Sequence, residues 1–172
     1  MNAVGAAATV AGIALVVVGM TTRKRTMQIT MQPGAVARTA DEADAFYSDM
    51  YQALGITPTP ELARFAQAWR LSEGGRAAWN PFNTKWKGGK ASDYIPNGVA
   101  NYPDRAAGLA ATVKTLRLRY YDDLRARMTA GAPAVDVAAS PALRTWGTGD
   151  LVRRVLLANT GPIPYRSPLW GA

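Results

Sequence analysis

Residues 68–84 read "AWRLSEGGRAAWNPFNT". A helical run carries one acid, Glu73, stops at two glycines, and gives way to a Trp-Asn-Pro-Phe-Asn-Thr turn. Upstream, Thr59 can cap the helix, Pro60 fits its first position, and Glu61 suits the positive end of its dipole. The helix is expected from Pro60 to about Ser72, with Gly74 as its stop. A helix turns by about 100° per residue, so from Leu62 the residues Phe65, Ala66, Trp69 and Glu73 lie at about −60°, +40°, −20° and +20°. Glu73 thus points along the centre of the apolar face, while Arg64, Gln67 and Arg70 point away from it. Surface glutamates belong on the polar side.

A carboxylate on a core-facing stripe loses hydration, which favours the neutral form. The negative end of the helix dipole acts in the same direction. A carboxyl kept protonated near neutral pH can serve as a general acid, as in glycoside cleavage. The bland alternative is a structural ion pair, or a side chain reaching solvent where the helix frays.

Downstream, the chain supplies hydrogen-bonding groups and flat faces. Asn80, Asn83, Thr84 and Asn101 donate and accept, and Trp79, Trp86, Tyr94 and Tyr102 carry aromatic rings. Amides beside aromatic platforms suit a sugar ring. Taken singly, the same residues read as turn formers and core fillers.

The whole chain narrows the chemistry. It has 172 residues, with 20 Lys+Arg against 12 Asp+Glu, a formal charge of +8. That balance suits an anionic partner such as nucleic acid, a membrane surface or an acidic wall polymer. Neither Cys nor His occurs, which excludes disulfides, Ser-His and Cys-His catalysis and the usual zinc sites. Carboxylate chemistry is left, with no metal or cofactor expected. No helix-turn-helix or metal finger supports specific nucleic-acid recognition.

Outward from residue 68 the chain divides into four parts. Residues 1–25 hold an uncharged Ala/Val-rich run, residues 3–20, ahead of Arg23-Lys24-Arg25. The run is a candidate membrane helix or an assembly-packing helix. It makes a poor secretory signal, and the basic cluster would hold the rest of the chain on the cytoplasmic side. Residues 26–38 form a linker with a Pro33-Gly34 turn. Residues 39–149 form the main domain. Its first helix starts at the capping box "TADE", with Phe46, Met50 and Leu54 as an apolar stripe, and stops at Gly55. Residues 74–103 read as loops or a short hairpin. Asp104 caps a long helical segment that breaks near Arg119, "APAVDVAA" is a linker, and Ser140-Pro141 opens a short helix. Residues 150–172, with Gly161, Pro162, Pro164 and Pro168, read as an irregular tail.

Three segments in order, "AWRLSEGGRAAWNPFNT", "GVANYPDRAAGLAATVKTL" and "SPALRTWGTG", resemble the lysozyme-like domains of phage particles and actinobacterial proteins, which are similar to lytic transglycosylases and goose-type lysozymes. That family's pattern is an acid-Gly-Gly after a helix, an Asn-Pro-Leu-Asn-Thr turn, a Gly-Val-x-Asn-Tyr segment and a helix with G-x-x-A-T-x-x-T-L. The likeness covers residues 60–149, and Phe82 replaces the usual Leu. It implies a mainly α, lysozyme-like helical domain with a loop or short-hairpin region, preceded here by the separate hydrophobic helix.

By the same resemblance, Glu73 matches the catalytic acid, and Asn80, Asn83 and Thr84 match the loop after it. Tyr94, Asn101 and Tyr102 match segments along the cleft, and Trp146 matches the closing "WGTG". The implied activity is peptidoglycan cleavage between N-acetylmuramic acid and N-acetylglucosamine. It runs either by one acid that closes an anhydro ring or by hydrolysis with a second carboxylate. Asp93 and Asp104 are the candidates for the second group, and Asp104 also suits a helix cap. The expected setting is a phage particle, with peptidoglycan, other virion proteins and a membrane as partners, the hydrophobic helix and the tail making the protein contacts. The alternatives are a non-catalytic structural virion protein on the same scaffold, or a wall-binding protein anchored in the bacterial membrane.

Overall fold

The computed structural model describes residues 40–163, except 75, 89, 90, 96 and 97. The hydrophobic N-terminal run, the linker, the Thr39 cap and residues 164–172 lie outside the described residues. Among the described residues no helix is long and apolar enough to cross a membrane.

The fold is mainly α. In chain order it comprises α1 (Ala40–Ala53), α2 (Pro60–Glu73), β1 (Ser92–Asp93), β2 (Ala100–Asn101) and α3 (Arg105–Leu116). A 3-10 turn (Arg119–Tyr121) leads into α4 (Asp122–Thr129), α5 (Ala134–Ala138), α6 (Pro141–Trp146) and α7 (Gly149–Ala158). The two short strands pair antiparallel, Ser92 opposite Asn101 and Asp93 opposite Ala100.

Local chemistry sets the ends of α2. Thr59 accepts a hydrogen bond from the Leu62 N–H at 3.2 Å. Gly74 closes the helix at φ 56° and donates to the Leu71 carbonyl, a left-handed stop that glycine adopts without a Cβ clash. Asp104 caps α3, accepting from the Ala107 N–H at 2.8 Å. The chain breaks after Leu116, and the 3-10 turn begins at Arg119.

Two expectations are corrected. "APAVDVAA" is not a plain linker, because Ala134–Ala138 is helical. Residues 150–172 are not irregular throughout, because α7 occupies Gly149–Ala158. Val152 and Leu156, one turn apart, are buried in the core. That apolar pair gives α7 a face to dock with, and the prolines further along do not prevent it.

Helix α2 is the centre of the packing, against α1, α5 and α7. Leu62, Phe65, Ala66 and Trp69 are fully buried, as the face predicts. The polar side is covered as well. Arg64 donates to the carbonyls of Leu156 at 2.9 Å and Asn159 at 2.6 Å, satisfying carbonyls at the C-terminal end of α7. Glu61 accepts from the Ala134 N–H at 2.8 Å and so caps α5. Arg70, expected at the surface, is buried. With α5 and α7 both packed on it, α2 is enclosed over far more than one stripe.

The loop Trp79–Thr84 is pinned by Asn80, whose side chain is wholly buried. Its amide donates to the carbonyls of Thr84 at 2.9 Å and Ala100 at 2.7 Å. Its Oδ1 accepts from the Thr84 N–H at 2.8 Å. Helix α3 meets this loop at Gly108, where an added Cβ would sit 2.1 Å from the Trp79 carbonyl oxygen. Only glycine allows that approach.

Candidate active site

Glu73 ends α2, and three side chains grip its carboxylate. Thr148 Oγ1 donates to Oε1 at 2.6 Å. Trp69 Nε1 donates to the same oxygen at 3.3 Å. Asn83 Nδ2 donates to Oε2 at 3.1 Å and also to the Glu73 backbone carbonyl at 3.1 Å. The Trp69 contact comes from i,i+4 spacing on one helix. The Asn83 contact needs the turn, because Asn83 adopts φ 54°, a left-handed conformation that asparagine tolerates better than most residues. The Thr148 contact comes from the far end of the domain.

Thr148 occupies the cap position of α7, yet its side chain makes no capping bond. A Thr cap is worth about 1 kcal/mol. Here the hydroxyl is directed to Glu73 instead, a local rule broken where a site needs the group.

Burial pushes the Glu73 carboxyl up, and the bonds from Thr148, Asn83 and Trp69 pull it back down in part. The net shift is upward, as the sequence suggested, but one physical cause differs. Glu73 lies where the C-terminal end of α2 meets the N-terminal end of α7. The two helix ends carry partial charges of opposite sign, so their effects oppose each other and desolvation decides. Each carboxylate oxygen offers two lone pairs. Oε1 accepts two bonds and is filled, whereas Oε2 accepts one. The free position for a proton is therefore on Oε2, the oxygen shared with Asn83.

Asn83 also lines a cleft of about 230 Å³, together with Lys85, Tyr120, Tyr121 and Trp146. Thr84, Thr115 and Thr145 complete the wall. Glu73 is not itself in the wall; it is bonded to Asn83, which is. Trp146 stacks edge-on against Trp69 at 4.8 Å, lies 5.2 Å from the Tyr121 ring, and donates from Nε1 to the Phe82 carbonyl at 3.0 Å. Burial, then Tyr120, then the Glu73 charge push the Tyr121 phenol up. It stays a neutral hydroxyl at physiological pH.

The residues picked from sequence divide into two groups. Glu73, Asn83, Thr84 and Trp146 come together around the carboxyl and the cleft. Asn80 lies in the core and holds the loop. Tyr102 is 2 % exposed, and its hydroxyl is spent on the Trp86 carbonyl at 2.7 Å and Thr84 at 2.8 Å. Asn101 accepts from the Ala78 N–H at 2.8 Å, fixing the start of the loop. Tyr94 lies in the hairpin bend, with its N–H on the Val99 carbonyl. Asn80, Asn101 and Tyr102 are scaffold, and none of the four lines this cleft. The flat faces expected from Trp79 and Tyr102 are buried, and Trp86 lies under the Lys114 ammonium at 4.2 Å. Tyr120, Tyr121 and Trp146 supply the cleft's rings instead.

Sequence reasoning missed Thr148 and Tyr121. Thr148 stood inside the "WGTG" already singled out, but no spacing ties it to a residue 75 positions earlier. Neither second-carboxylate candidate reaches the site. Asp93 pairs with Lys87 on the exposed hairpin, and Asp104 caps α3. Among the described residues no group of three acidic side chains could hold a metal ion. The chain matches no family model, no curated protein and no solved structure.

Proposed function

We propose that the domain is lysozyme-like and cleaves the glycan strands of peptidoglycan, with Glu73 as the single general acid. One observation carries this reading: a carboxyl raised by burial and oriented by three donors is bonded to Asn83, which lines a cleft of hydroxyl, amide and aromatic groups. Its Oε2 gives the proton to the glycosidic oxygen. The second-carboxylate candidates Asp93 and Asp104 are engaged elsewhere, which favours a one-carboxyl route: Glu73, having given up its proton, takes the proton of the muramic 6-hydroxyl as that oxygen closes an anhydro ring. The hydrophobic run of residues 3–20 and its basic flank favour carriage in a phage particle, where a wall-opening domain can be delivered with the genome.

The same geometry favours a second reading, a non-catalytic structural protein of the particle. Three donors on Glu73 also describe a structural acceptor that joins α2, the Asn83 turn and α7. The full chain should clear a peptidoglycan gel, and Glu73→Gln should not, with helical content and thermal stability retained. Mass spectrometry should find anhydromuramic ends. Clearing by Glu73→Gln, or no clearing by the folded wild type, removes the enzymatic reading and leaves the structural one.

A further inference from the structure

We infer that Lys85 determines specificity in the cleft, by reading a carboxylate carried on the polysaccharide and so separating acid-bearing strands from neutral ones. The inference rests on the glycan-binding reading of the cleft and names the substrate class it prefers.

Among the described residues Lys85 is the one charged side chain in the cleft wall, and every other lining residue is neutral. The described lysines are Lys85, Lys87 and Lys114. Lys87 is paired with Asp93, and Lys114 lies over the Trp86 ring. Lys85 has no ion pair or ring partner among the described residues. Its charge is therefore not neutralised by them and faces whatever enters.

The backbone that carries it is held firmly. Thr84, just before it, is fixed to Asn80 through both its N–H and its carbonyl, and that carbonyl also accepts from the Ala100 N–H at 3.1 Å. Two residues before Lys85, Asn83 bonds the candidate acid. The backbone of Lys85 therefore has a fixed relation to Asn83 and the candidate acid, and its ammonium can reach an acidic group on the strand lying there. Wall glycan alternates a neutral amino sugar with one bearing a lactyl ether. The lactyl carboxylate is free on peptide-stripped strands. Otherwise it is amide-linked to a peptide stem that carries carboxylates of its own. A polymer of N-acetylglucosamine alone offers neither.

Binding of the full chain tests this apart from cleavage. Titration calorimetry at low salt would compare chitin hexasaccharide, amidase-stripped glycan strands and stem-bearing strands. The wild type should bind an acid-bearing strand about 2- to 5-fold tighter than the neutral oligomer, the range of a partly exposed ion pair. Salt should erode that ratio. Lys85→Met should bring the two affinities together, Lys85→Arg should keep them apart, and Lys87→Met should leave the ratio as it is. Preference for the stripped strand assigns the lactyl carboxylate; preference for the stem-bearing strand assigns the peptide's. A ratio that survives Lys85→Met, equal affinities in the wild type, or no binding at all overturns the inference. A chain that shows the ratio and never cleaves defeats the enzymatic reading alone.

Discussion

Replacing Thr148 with Val should raise the titration of Glu73 further. The hydroxyl donates to Oε1 at 2.6 Å, and it is the largest of the influences holding the carboxyl down. A hydrogen bond to a charged acceptor is worth about 1.5–3 kcal/mol, and one to a neutral acceptor about 0.5–1.5. The difference, about 1–1.5 kcal/mol, belongs to the ionised form alone. At 1.36 kcal/mol per unit this moves the midpoint up by about one pH unit. Carbon-13 NMR of the glutamate carboxyls, with the Glu73 signal assigned by its absence in Glu73→Gln, measures it whether or not the chain cleaves glycan.

Stability should change with the same sign. Glu73 titrates above its unfolded value, so its favourable contribution is fully present below about pH 4.3. It is lost as pH rises through the folded value. Thr148→Val therefore costs more stability at pH 8 than at pH 4, while Thr148→Ser behaves as the wild type. If the chain is an acid catalyst, the alkaline limb of its pH–rate profile moves up by the same unit. A midpoint that stays or falls in Thr148→Val refutes the assignment of this hydroxyl.

Two substitutions test the scaffold. Gly108→Ala drives a methyl into the Trp79 carbonyl and should cost about 1–3 kcal/mol, read as a lower urea midpoint. Asn80→Ala strips partners from the buried Thr84 and Ala100 groups, at about 1–3 kcal/mol for each polar group left unsatisfied; an unchanged midpoint would show that the loop does not depend on it.

The elements that could be read from sequence are those whose signals are local. Thr59, Pro60, Gly74, Asp104 and Ser140 mark helix ends within one turn of themselves, and each end lies where they put it. The burial of Leu62, Phe65 and Trp69, and the position of Glu73 on that same face, come from a 3.6-residue period. Helix α7 carries a local signal too, with Val152, Val155 and Leu156 at helical spacing, but the Gly and Pro residues from 161 onward mark the whole segment as irregular by composition. That omission carries over to Arg64, which looks solvated until α7 is placed beside α2. In the candidate site, Asn83 and Trp146 came from pattern. Asn80, Asn101 and Tyr102 show the limit of pattern, since a polar residue that holds a loop and one that holds a ligand have the same letters. Burial separates them, and burial is a property of the whole fold.

The docking of α7 also decides where this chain can be cut. Ending a fragment at residue 149 would remove Val152, Leu156 and Ile163, all buried, and would leave the Arg64 guanidinium without the two carbonyls it serves. Such a fragment would also lose the helix whose first turn seats Thr148. Its failure to act on a cell wall would then say nothing about the chemistry of Glu73. A unit on which the acid can be judged has to run at least through Ile163. During synthesis the candidate acid waits for its setting, since the hydroxyl that bonds it is added 75 residues later.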